Sequence, residues 1–341
     1  MTEHNSEQKH QNKELPLLDL LDGARGETTG LSKGVASLSA ISADKSVHLE
    51  ERLEAYEDIF DSEVGDSSLV RARNIERLEE VRQIFLKFEG SNPTGTQKDR
   101  IAFAQVMDAL RRGFDTITMA TCGNYGAAMS LAASLAGLRC LIYIPDSYHT
   151  KRIKEMIELG AEIRRIPGNY EEVVEVSREQ AEMKELYDAN PGGVNTPLQL
   201  KAYGEIAYEI YDELRDAPRA VAVPVSNGTT LAGIYKGFMS LFRRGKTSRI
   251  PHLVAGSSFR KNPIVHAYLK NSPKCEDLIP SKIHETKINE PLINWHSMDG
   301  DNALEAIRNT QGWAANASDK KLLHYSKLIR GLEGLHTWES S

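Results

Sequence analysis

Cysteine is scarce in this chain. There are three in 341 residues, Cys122, Cys140 and Cys275, and no two stand in a C-x-x-C spacing. That excludes a disulfide framework and a thiolate zinc site, and it reads as the reduced thiols of a cytoplasmic protein. Long apolar runs are missing too. No stretch reaches the roughly 20 residues that a membrane-spanning helix needs, and the opening MTEHNSEQKHQNK lacks the apolar core of a signal peptide. Positive charge is not in excess. Lys+Arg number 42 against 48 Asp+Glu, for a net charge of −6 and a pI near 6.0. Neither nucleic acid nor a membrane is therefore an expected partner. The histidines show no H-E-x-x-H and no pair at helical spacing, so no metal site is expected. No G-x-G-x-x-G opens a helix, which disfavours a dinucleotide.

What is present is the composition of a globular protein, 40% hydrophobic and 26% charged. The length suits two domains of about 100–200 residues each. Residues 1–52 read as a weakly ordered extension. The first thirteen are almost all polar, and Gly30–Lys45 is rich in Ser, Ala and Gly without a period. Leu15–Leu21 is a short apolar patch able to dock on the body, which begins near Leu53. A strand-like run, Gln83–Phe88, comes first. Strands are then predicted at Thr116–Ala120, Cys140–Ile144, Glu162–Ile166, Ala220–Val225 and His252–Ala255. Helices are predicted from about Asp99 to Arg112, then at Tyr125–Gly137, Lys151–Leu159, Tyr170–Glu185, Leu198–Leu214 and Leu231–Phe242. This βαβα rhythm implies parallel sheets covered on both faces, a doubly wound α/β architecture. Ligands in such folds sit at the carboxyl ends of strands, in the turn before the next helix.

Three such turns stand out. Lys98 follows Asn92-Pro93-Thr94-Gly95 and begins a helix. A helix N-terminus disfavours a cationic lysine, and only the neutral amine attacks an aldehyde. Taken alone, Lys98 reads rather as a solvated lysine beside Asp99. The second turn is Thr121-Cys122-Gly123-Asn124-Tyr125-Gly126, whose glycines let a ligand approach the backbone and whose Asn124 both donates and accepts. The third is Ser226-Asn227-Gly228-Thr229-Thr230, a set of N–H and O–H donors suited to a phosphate. Singly, each of these two also reads as a helix cap.

Together the three turns resemble the fold-type II pyridoxal-phosphate enzymes, the group that includes the tryptophan synthase beta chain, and among them most the threonine synthase family. Val64–Glu76, Asn195–Ile210 and Ile288–Arg308 carry further likeness, and the resemblance spans about Tyr56 to Ser341. It implies two doubly wound domains, with residues 53–106 and 205–341 forming a larger cofactor-binding domain and residues 107–204 a smaller substrate-side domain. It implies pyridoxal 5'-phosphate as cofactor, held as an aldimine by Lys98, which then shuttles protons. It implies Asn124 at the cofactor's ring hydroxyl, Ser226, Asn227, Gly228, Thr229 and Thr230 around its phosphate, and Thr121, Gly123 and Tyr125 along the loop for the substrate carboxylate. The expected substrate is a small amino acid, phosphorylated or not, and the expected assembly a cytoplasmic homodimer.

The pattern also departs from the family. Gln97 precedes Lys-Asp-Arg where Phe is frequent, Tyr125 replaces a small residue, and no arginine stands near Leu198–Lys201. His149, Lys151 and Arg152 read as a solvated helix start, or as an anion-binding contribution. Glu171, Glu172, Glu175 and Glu179 read as one solvated helix face. Trp295, Trp313 and Trp338 read as core or interface anchors. Three functions fit this pattern. The first is elimination or replacement at Cβ or Cγ, with O-phosphohomoserine giving threonine and phosphate. The second is β-replacement of the cysteine or cysteate synthase kind, or dehydration of a hydroxyamino acid. The third is a non-catalytic ligand-binding descendant.

Overall fold

The computed structural model describes residues 31–337, apart from Cys122, Ser147, His149, Thr150, Lys151 and Glu285. The apolar patch at Leu15–Leu21 and Trp338 lie outside the described residues. The chain enters through α1 (Val35–Ala43) and α2 (Leu49–Glu63), followed by β1 (Leu69–Arg71), α3 (Arg73–Leu78) and β2 (Phe85–Lys87). Helix α1 lies in the stretch expected to be weakly ordered. Its order comes from docking: Leu31 and Val35 are buried, Ser39 Oγ donates to the Leu135 carbonyl at 3.1 Å, and Arg52 Nε holds the Ser42 carbonyl at 2.8 Å. Strands β1 and β2 pair antiparallel. The expected strand from Gln83 is shorter at its start because Gln83 has a left-handed φ of 62°.

Then come α4 (Lys98–Arg111), β3 (Thr116–Ala120), α5 (Asn124–Leu135), β4 (Arg139–Pro145), α6 (Ile153–Glu158), β5 (Glu162–Ile166), α7 (Tyr170–Met183) and β6 (Tyr187–Asp188). Their strands form a parallel sheet in the order β5-β4-β3-β6. The chain continues through α8 (Thr196–Leu214), β7 (Ala220–Pro224), α9 (Thr229–Arg243), β8 (His252–Ser258), α10 (Pro263–Leu269), α11 (Gly300–Asn309), β9 (Trp313–Ala317) and α12 (Asp319–Glu333). A second parallel sheet runs β7-β8-β9. The molecule is thus a mixed α/β fold on parallel sheets. Among the described residues, no helix is long and apolar enough to cross a membrane.

The period of two in β3 and β4 explains why helices cover both faces. Ile117, Met119, Ile142 and Ile144 point into the main core shared with α4 and α5. Ala120, Leu141 and Tyr143 point the other way, onto Val173 and Val174 of α7. Each large side chain removed from water there contributes about 1.5–3 kcal/mol. Trp313, expected as a core or interface anchor, is exposed on β9.

Two features fix the site. Helices α8 and α9 cross backbone to backbone. A Cβ on Gly237 would lie 2.4 Å from the Gly204 carbonyl oxygen, and one on Gly233 would lie 2.5 Å from Tyr203 Cβ. The second feature is an ion-pair network around Arg100, whose side chain is 3% exposed. Its guanidinium donates to Glu89 Oε2 and to Glu209 Oε1, both at 2.6 Å, and Lys87 Nζ stands 2.5 Å from Glu209 Oε2. Burial alone would raise the Glu209 carboxyl, but Arg100 and Lys87 hold it down at about 2. The network ties β2, α4 and α8 together behind Lys98.

Candidate active site

Lys98 is the first residue of α4, one position earlier than the sequence pattern suggests. The turn before it closes by hydrogen bonds from Gly95 N to the Asn92 carbonyl (2.7 Å) and from Thr94 N to Asp99 Oδ2 (2.9 Å). Asp99 is fully buried and serves that turn. Lys98 Nζ donates to the Tyr203 hydroxyl at 3.2 Å and lies 5.7 Å from the centre of that ring and 5.9 Å from the centre of Tyr125.

The loop after β3 is shaped by Thr121. Its hydroxyl is buried and accepts from Gly123 N (3.2 Å) and Gly126 N (3.1 Å). Gly123 has φ 154°, which Gly alone adopts readily. Tyr125 does not project its hydroxyl along the loop. The ring borders Lys98, while the hydroxyl donates to the Ala189 carbonyl at 2.9 Å and accepts from Gln105 Nε2. Burial, chiefly, raises this phenol well above its ordinary value. Asn124 starts α5, and its Oδ1 accepts from an Arg152 guanidinium nitrogen at 2.9 Å. Arg152 is not part of a solvated helix start. Its side chain is 16% exposed and also holds the Thr94 carbonyl at 3.0 Å and the Glu155 carboxylate at 2.8 Å, so it ties the Lys98 turn to the Asn124 loop. His149, Lys151 and Cys122 lie outside the described residues.

The third turn delivers α9. Its ladder begins with Ala232 N bonding the Gly228 carbonyl at 3.0 Å, and no side chain caps it. The amides of Thr229, Thr230 and Leu231 precede that first bond and carry the positive end of the helix dipole. Gly228 has φ +92°, and a Cβ there would lie 2.7 Å from Ala303 Cβ and 3.1 Å from the Asp299 carbonyl oxygen. Segment 294–299 braces the turn from behind. Asn294 Nδ2 donates to Asn227 Oδ1 (3.3 Å), Ser297 Oγ and Asn262 Nδ2 donate to the Ser226 carbonyl (3.1 and 2.9 Å), and Asp299 N donates to the Asn227 carbonyl (3.0 Å). The Asn227 side chain is therefore occupied in shaping the loop. Thr229 Oγ1 donates to Asp299 Oδ2 at 2.5 Å, so its hydroxyl is likewise committed and its backbone amide remains as the donor.

Asp299 is tied to this turn through Thr229. Burial raises its carboxyl, while Thr229, Arg178, Lys98 and Lys236 oppose that shift. Glu171, expected on a solvated face, is also buried. It accepts from Trp295 N at 3.2 Å, and burial raises its carboxyl as well. Segment 294–299 is thereby held from α7 too.

These residues fit a cofactor that carries both a phosphate and an aldehyde. The uncapped amides at the start of α9 suit an anion, and the lysine amine at the start of α4 suits an aldehyde. Tyr203, Asp299, Asn262 and Asn294 are absent from the sequence expectations. Asn262 before Pro263 carries a helix-cap signal, and its Oδ1 does cap α10. Nothing local marks the other three, because their partners are far away in the chain.

Residues 61–341 match the family model for pyridoxal-phosphate dependent enzymes. The threonine synthase of Methanocaldococcus jannaschii is 28% identical over 273 residues, 80% of this chain and 66% of that protein. That of Methanosarcina acetivorans is 28% identical over 257 residues, 75% of this chain and 62% of that protein. The chain therefore spans somewhat less than two thirds of either relative. Among solved structures, maize serine racemase superposes with a TM-score of 0.68 at 16% identity over 84% of each chain. Threonine deaminase isoform 2 of Solanum lycopersicum gives 0.65 at 16% identity over 85% of this chain and 81% of that one. At such identities the likeness is one of fold. With that fold and the family match over most of its length, the chain belongs to the fold-type II pyridoxal-phosphate dependent enzymes.

Proposed function

We propose that this enzyme carries out elimination or replacement at Cβ or Cγ of a small amino acid, in the manner of a threonine synthase: O-phosphohomoserine and one water give threonine and phosphate. Bound at this site, the cofactor supplies an electron sink for charge developing at the substrate's Cα. The chain's residues supply the rest. The amides from Asn227 to Thr230 and the Ser226 turn hold the cofactor phosphate. Arg152 takes up the carbonyl end of the Asn124 amide, which leaves its NH2 to donate to the cofactor's ring oxygen. The loop shaped by Thr121, with Gly123 and the first amides of α5, receives the substrate carboxylate. Lys98 holds the cofactor and, once released by the substrate amine, carries protons at its Nζ. Residues 107–204 act as the substrate-side domain against a cofactor-binding domain of 53–106 and 205–341, and the protein works as a cytoplasmic homodimer.

The observation that carries the reading is the threonine synthase likeness, which extends over 80% of this chain, together with Lys98 and the uncapped amides of Thr229 and Thr230, each at a helix start. A substrate panel on cofactor-loaded protein tests it. O-phosphohomoserine is expected to release phosphate and form threonine. The structural likeness to a threonine deaminase supports a second reading. Ammonia from serine or threonine, with no phosphate from O-phosphohomoserine, would favour that one.

A further inference from the structure

Among the described residues, the Lys98 amine donates a hydrogen bond to a phenol on another helix. Tyr203 is fully buried on α8, its hydroxyl 3.2 Å from Lys98 Nζ. Its ring and that of Tyr125 each lie within 6 Å of the nitrogen, at 5.7 and 5.9 Å. The two phenols are not equivalent. The Tyr125 hydroxyl is already engaged by Gln105 and the Ala189 carbonyl, so Tyr125 offers the amine only its ring. Tyr203 offers both ring and oxygen. It is also held in place from behind, since Gly233 of α9 has no room for a Cβ against Tyr203 Cβ. The helix that carries the anion cradle therefore also fixes the phenol at the lysine.

We propose that Tyr203 is a positioning residue for Lys98. Its oxygen holds the amine in one orientation, while its ring and that of Tyr125 flank the nitrogen within 6 Å. The inference rests on the reading of Lys98 as the reactive lysine. When the released amine takes a proton from the substrate's Cα, the C–H bond breaks, the proton bonds to the Nζ lone pair and the bonding electrons stay with the substrate. The cation so formed has an oxygen acceptor and two aromatic rings in reach, groups that stabilise it. The Lys98 charge also acts on the Asp299 carboxyl, alongside those of Arg178 and Lys236.

The test uses the full chain freed of cofactor and then given pyridoxal phosphate. Borohydride quenching and peptide mass analysis follow covalent attachment to Lys98 over time and across pH. Tyr203→Phe keeps the ring and removes the oxygen. It should retain the thermal transition and reach the same final loading. The midpoint of its rate–pH profile should move to lower pH, because the ammonium has lost its acceptor. At a fixed pH below the midpoint, attachment should be about tenfold faster, the fold-change of one hydrogen bond to a charged group. Tyr203→Leu, which also removes the ring, should move the profile further in the same direction. A Phe profile that superimposes on the parent's, or a Phe variant without a thermal transition, overturns the proposal. If the parent itself fixes cofactor on a lysine other than Lys98, the site reading fails instead, and the two failures are told apart.

Discussion

Arg152 can only donate, so the Asn124 amide must turn its oxygen toward the guanidinium and its NH2 away. Arg152→Met is therefore expected to loosen Asn124 and the Thr94 carbonyl together while leaving α4 and α5 folded. Titration of the variant with pyridoxal phosphate should show affinity weakened by about tenfold or more, the worth of a charged hydrogen bond; unchanged affinity would mean that Arg152 only braces the surface. Asp299 gives a pH-dependent expectation. Its carboxyl is raised above the ordinary 3.8 by burial. Between that value and the raised one, the folded state keeps a proton that the unfolded chain has released, so this group's contribution to stability falls as pH rises through the window. Asp299→Asn keeps an acceptor for Thr229 and should abolish that fall, as urea unfolding at a series of pH values would show. A slope identical to the parent's would assign the dependence to other groups.

The elements that bear the site were legible wherever a local period is strong. The strands Thr116–Ala120 and Glu162–Ile166 stand at their expected ranges, and the helices from Lys98 to Arg243 lie within a few residues of their patterns. Elements defined by docking were not legible. Helix α1 has no apolar stripe and is ordered by contacts with α2 and α5, and the two-residue β6 exists only as a partner to β3. The glycine crossing of α8 and α9 belongs to the same class. Gly237→Ala would place a methyl against the Gly204 carbonyl, and relief requires the helices to part. It should destabilise by about 1–3 kcal/mol and weaken cofactor binding as well, measured by denaturant unfolding and titration on one preparation. Gly228→Ala should act mainly on the cradle, since φ +92° and the Ala303 contact both oppose a side chain there. Greatly weakened cofactor binding with little change in far-ultraviolet circular dichroism is the expected result. Normal binding would remove the anion role from this turn.

At the scale of the molecule, the site is held by contacts between residues far apart in sequence, and that is where reading the sequence stops. The three turns could be recognised because each is a local strand–turn–helix signal. That Lys98 would meet Tyr203, that Glu171 would be buried against Trp295, and that Thr229 would spend its hydroxyl on Asp299 depend on how the sheets and helices close. The Arg100 network is of the same kind. Removing Arg100, as in Arg100→Met, leaves Glu89 and Glu209 without their main partner in a buried setting, and a loss of about 3–5 kcal/mol is expected from equilibrium unfolding. Because Glu209 is held near 2 against an ordinary 4.5, its stabilisation is present above 4.5 and is lost as pH falls from there toward 2. Acid unfolding of the parent should fall in that window, and the Arg100 variant should lose the steepness. The central claim, that this fold presents Lys98 to pyridoxal phosphate, is tested most directly by reducing the cofactor-loaded full-length protein with borohydride and mapping the modified peptide by mass. The expected result is a single pyridoxyl group on Lys98, abolished in Lys98→Ala; a label on Lys87 or Lys236, or no labelled lysine at all, would contradict it.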